Sequence, residues 1–114
     1  MATAAGLLGQ ADFTGGAGTA VLFTCPDGQK AAVTVTLCNN NETGAVKVRA
    51  GWATGNRTAP QASEFVLGGV GGKTLAAGES IQATMLLGPG QKACAGTNGT
   101  NVAATCSGLV EALA

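Results

Sequence analysis

The chain contains no histidine and no tyrosine, and its aromatic residues are Phe13, Phe23, Trp52 and Phe65 alone. Without histidine, the usual general base near neutral pH and the usual nitrogen ligand of zinc are both missing. Any reaction would fall to carboxylates and thiols. Asp12, Asp27, Glu42, Glu64, Glu79 and Glu111 stand far apart in the sequence, and Asp27, Glu42 and Glu79 fall in turn-like stretches where solvated carboxylates are ordinary. No catalytic residue, metal site or cofactor is therefore assigned; the expectation is a protein that is not an enzyme and takes no small-molecule substrate. Charge is scarce too. Six Lys and Arg balance six Asp and Glu, and the charged fraction of 11% is well below that of ordinary soluble domains. Lys30, Lys47, Arg49, Arg57, Lys73 and Lys92 are scattered, which argues against nucleic acid as a partner, since that needs a basic patch. Lys47 and Arg49 share a strand face, read here as a solvated face.

Long apolar runs are absent as well. Nothing approaches the roughly 18 residues of a membrane span, so no membrane association is expected. MATAAGLLGQADFTGG has no basic residue ahead of a short, interrupted apolar stretch, unlike a secretory leader. The chain is thus expected to fold in a cytoplasm, where the sequons at Asn41, Asn56 and Asn98 are chance matches in polar turns.

Four cysteines remain, at 25, 38, 94 and 106. Cys25 and Cys38 bound a strand that separates them by roughly 20 Å, too far to bridge. Cys94 and Cys106 flank Asn98-Gly99, and a hairpin there would set them nearly opposite, making them the pair to consider for a disulfide. Free buried thiols are the expected state in a reducing compartment. The spacings contain none of the close pairs that structural zinc sites use.

What the chain does have is alanine, glycine and the marks of β structure. Val21 to Cys25 is rich in strand formers, Pro26-Asp27-Gly28 is a turn signal, and Ala31 to Cys38 alternates with a period of two. Read together, residues 20–41 predict a β-hairpin. Further strands are predicted at about 45–53, where Val46, Val48, Ala50 and Trp52 alternate with Lys47, Arg49 and Gly51, then up to about 69, and at 81–87. Trp52 is the expected large anchor of the core. A last hairpin, KACAGT and VAATCSGLVEA, turns at Asn98-Gly99, and Leu109 to Ala114 allows one helical turn. Turns every 8–12 residues favour an all-β, single-domain β-sandwich of about seven to eight antiparallel strands, Ig-like or jelly-roll-like, over residues 1–114. Residues 1–15 are read as an extended N-terminal arm, with Leu7, Leu8 and Phe13 as its contacts. GGVGGKT at 68–74 ends like a phosphate-binding loop, but Leu67 stands where the pattern needs glycine and no helix follows, so it is read as a flexible loop. Cores built of small side chains bury little apolar area against about 1–2 kcal/mol of backbone entropy per residue, which predicts help from neighbouring subunits.

The order of these elements resembles the small all-β virion proteins of tailed bacteriophages. The features shared are Gly18-Thr19, Thr24, Pro26, Gly28, Ala31 and Val33, the Asn39 to Asn41 turn, and the turn at Leu75, Gly78 and Glu79. That resemblance covers about three quarters of the chain. It implies a structural role in the virion as a capsid decoration or cement protein. Its partners would be the major capsid protein or other virion subunits, and it would form a homo-oligomer, expected to be a trimer. The alternative it implies is a tail, baseplate or fibre-associated module, including one that binds host-surface carbohydrate. The four cysteines and the glycines at 68–72 depart from the pattern.

Overall fold

The computed structural model describes residues 2–14 and 18–113. Two antiparallel sheets pack face to face as a β-sandwich. The nine strands among the described residues are β1 (Ala2–Phe13), β2 (Gly18–Thr24), β3 (Gln29–Asn39), β4 (Val46–Ala53), β5 (Phe65–Leu67), β6 (Lys73–Leu75), β7 (Ser80–Leu87), β8 (Lys92–Thr97) and β9 (Val102–Ala112). One sheet runs β1-β9-β3-β7; the other runs β2-β8-β4-β5, with β6 also on β4. No helix among the described residues is long and apolar enough to cross a membrane.

Period-two patterning decides which side chains meet between the sheets. On β3, Ala31, Val33, Val35 and Leu37 are buried while Ala32, Thr34, Thr36 and Cys38 alternate with them on the outer side. The same rule sends Val46, Val48 and Ala50 of β4 inward, as well as Val102, Ala104, Cys106 and Val110 of β9. Leu37, Val35, Val48, Val102 and Val110 are the largest fully buried apolar side chains, so branched aliphatics rather than aromatics fill the centre. Trp52 is only half-buried and packs at the margin, contrary to its expected role as anchor.

The strand segments are close to those expected, but their pairing differs. β2 and β3 do not form a hairpin: β2 pairs with β8, and β3 lies in the opposite sheet between β9 and β7. The Pro26-Asp27-Gly28 turn, with Gly28 at φ 74°, is a corner between sheets. It is tied down by Cys25 N donating to Gln91 O at 2.8 Å and Gly90 N donating to Cys25 O at 2.9 Å. β8 and β9 likewise cross between sheets at residues 98–101 instead of pairing across Asn98-Gly99. Residues 2–13 are paired along β9 as an edge strand. Residues 109–112 continue β9, so no helical turn forms there, and part of the loop expected at 68–74 is β6.

Two of the close approaches that require glycine involve β1 and β9. A Cβ on Gly9 would sit 1.7 Å from Leu22 O, where β1 meets β2 across the sandwich edge, and one on Gly108 would sit 2.1 Å from Ala32 O. At one end of the sandwich, fully buried Asn39 ties the loops together. Its Nδ2 donates to Gly44 O (3.1 Å) and Leu75 O (3.0 Å), and its Oδ1 accepts from Asn41 N (3.0 Å) and Asn41 Nδ2 (2.7 Å).

Candidate functional site

The residues singled out from sequence fall in different places. Leu7 is exposed on the outside of β1, Leu8 is half-buried at the bulge between Leu7 and Gly9 and packs on the core, and Phe13 is buried. Phe13 therefore serves the core of its own domain. Cys94 and Cys106 are free thiols on opposite sheets. Cys106 points into the core beside Val35, whereas Cys94 sits beside Gly51 on the outer side of its sheet, with its Sγ 3.8 Å from Thr58 O. The expected disulfide geometry fails because it depended on a β8–β9 hairpin. Burial pushes the Cys106 thiol up to about 11 and also raises Cys25 and Cys94.

Acid–base chemistry finds little to work with. Among the described residues no three Cys, Asp or Glu gather as a metal site. Glu64 pairs with Arg57 through both carboxylate oxygens, Nη2 to Oε2 at 2.7 Å, and Oε1 also accepts Gln61 N at 2.7 Å. These donors, the guanidinium foremost, hold its carboxyl at about 2. A carboxylate so low and so engaged makes a poor general base. It pins the 54–64 loop over Gly51, whose added Cβ would meet Glu64 O at 2.5 Å.

Two surfaces stand out instead. The outer face of the four-stranded sheet carries cross-strand rows set by register: Ala5, Leu109, Ala32 and Leu86 form one, and Leu7, Ser107, Thr34 and Thr84 the next. Leu86 is 81% exposed and Leu7 62%. Charges on this face lie toward its ends, at Lys30 and Glu111 and at Asp12, leaving the middle apolar and hydroxylic. On the other sheet, Arg49 and Lys47 line a cavity of about 360 Å³ with Thr19, Asn98, Gly71 and Gly72. A third feature, a groove of about 450 Å³, brings Trp52 together with Val66, Met85, Thr84 and Leu86.

No family model matches the chain, and no curated protein does. Solved structures similar to it include a pentameric capsid protein isolated from metagenomic phage sequences, at 14% identity and a TM-score of 0.40, covering 91% of this chain and 60% of that one. Another is the K1 cleaved adhesin domain of Lys-gingipain from Porphyromonas gingivalis W83, at 18% identity and a TM-score of 0.36, covering 82% of this chain and 62% of that one. The chain thus spans about three fifths of the length of each.

The exposed sheet face had one legible signal in the sequence. Ala32, Thr34 and Thr36 alternate with a buried series, and so do Gln82, Thr84 and Leu86, so each strand has an uncharged outer face. That β9 and β1 extend this face was not legible, because their neighbours are set by topology.

Proposed function

We propose that this chain is a non-enzymatic structural subunit of a phage virion, a capsid decoration or cement protein that docks on the major capsid lattice as a trimer and stabilises the head. The observation that supports it most is the outer face of the four-stranded sheet. Leu86 and Leu7 are left in water on a broad, weakly charged surface. Covering such side chains yields about 25 cal/mol per Å² of apolar surface removed from water. Resemblance of the turn residues to small all-β virion proteins supports the same reading. An Ala/Gly-rich core with few large side chains gains from association.

The half-buried Trp52 beside its groove favours a second reading, a tail- or fibre-associated module that binds host-surface carbohydrate, since sugar faces use accessible aromatics.

Heads lacking the chain, mixed with purified protein and pelleted, separate the two. Decoration predicts saturable co-sedimentation of the native chain and at least tenfold weaker binding by Leu86→Asp. Failure of the native chain to bind heads, or equal binding by the variant, contradicts it. Binding to host polysaccharide that is lost in Trp52→Ala would transfer the assignment to the second reading.

A further inference from the structure

Arg49 and Lys47 are two residues apart on β4 and so project from the same outer face of the five-stranded sheet. Arg49 does not extend into solvent. Its side chain lies across β8 over Gly96 and reaches β2, where Nη2 donates to Thr19 Oγ1 at 3.3 Å, while Nη1 donates to Val70 O at 3.0 Å. The Phe65 ring sits 5.1 Å from the guanidinium carbon. A guanidinium has five N–H donors, so these contacts fix its position without exhausting it. Lys47 is held by its backbone: its N–H donates to Asn98 Oδ1 at 2.8 Å and its carbonyl accepts Asn98 N at 3.1 Å, leaving the ammonium exposed.

The charge of this cavity is uncompensated. Among the described residues the ion pair formed is Arg57–Glu64, and no carboxylate lines the Arg49 cavity. Two of the six cations of a neutral chain thus meet in one concavity. Gly72 closes one wall, where an added Cβ would come 3.0 Å from Lys47 Cβ, and Val70 is exposed at the rim.

We propose that this cavity binds a side-chain carboxylate of an acidic peptide segment from another subunit. Arg49 supplies a pre-positioned planar fork and Lys47 a second charge, a pairing suited to carboxylate geometry. The volume admits one such side chain, and Val70 offers its flanking residues an apolar contact. A tracked nucleic-acid strand would need a continuous basic path, which a chain with six scattered cations lacks. The inference rests on the docking reading only for where the segment comes from. The titration below can fail while the chain still binds heads, and head binding can fail while the titration succeeds.

The test is a backbone-amide NMR titration of the whole chain with a capped Glu-rich hexapeptide, its Gln counterpart and inorganic phosphate. Expected are saturable shifts at Gly71, Gly72 and Asn98 with the Glu peptide, weakened at least fivefold by Lys47→Gln and by Arg49→Lys, and none that saturate with the Gln peptide. Both variants must keep the native amide dispersion; Lys47→Gln leaves the Arg49 contacts intact, so it decides the matter if Arg49→Lys unfolds. The proposal is overturned if the Glu peptide gives no saturable shift, if Lys47→Gln binds it as tightly, or if phosphate saturates the site while the peptide does not.

Discussion

Arg49 lies flat across Gly96: a Cβ at position 96 would fall 3.1 Å from Arg49 Nε and 3.0 Å from Thr19 Oγ1. The bare glycine on β8 is what lets a side chain on β4 reach β2. Gly96→Ala is therefore expected to lift the guanidinium from Thr19 at a cost of about 1 kcal/mol in stability, the low end of overpacking penalties. Urea unfolding measures the cost, and the Arg49 side-chain NMR signals report the displacement. An unchanged Arg49 environment would refute the relationship.

Glu64 predicts an acid-dependent loss of stability. Its folded carboxyl titrates at about 2 against an ordinary 4.5, so its contribution is whole above about pH 4.5 and disappears as pH falls toward 2. Melting temperature should fall across that window in the native chain and fall less in Glu64→Gln, which starts lower at neutral pH. Parallel curves for the two proteins would contradict the Arg57–Glu64 assignment.

The thiols should divide three to one. Cys25, Cys94 and Cys106 are buried with raised pKa values, and Cys38 is half-buried at the end of β3. A thiol reagent at pH 8 is expected to modify Cys38 first and the other three only on unfolding, as read by mass spectrometry of tryptic peptides. Early loss of Cys94 and Cys106 together as an oxidised pair would contradict their placement on opposite sheets.

What was legible in the sequence was the strands, because alternation reports which side chains face a core. Ala31 to Leu37 and Val46 to Ala50 show it plainly. Partners were not legible, because period two is indifferent to which strand lies alongside. Pro26-Asp27-Gly28 and Asn98-Gly99 are good turn sequences whether the chain doubles back within a sheet or crosses to the other. Backbone bonds from Cys25 to Gly90 and Gln91, and from Asn40 N to Asn101 O, bring turns distant in sequence together and are invisible to a local reading. The same limit hid the cavity beside Arg49: Lys47 and Arg49 were seen as neighbours on a face, but Thr19, Val70 and Asn98 arrive from three other parts of the chain.

The pairing of β1 makes its own prediction. Gly9→Ala drives a methyl group into Leu22 O and should cost about 3 kcal/mol or more, with amide protection lost first along residues 2–13 and their β9 partners. A uniform loss of protection throughout the chain would contradict this, showing β1 to be part of a single cooperative unit.

Docking on the head through the four-stranded sheet, as proposed, is a question of position in the particle. Electron cryo-microscopy of purified phage particles reads that position. Trimeric density on the outer capsid surface, with Leu86 and Leu7 turned toward the shell, is the expected result. Particles without the chain, or density confined to the tail, would contradict it.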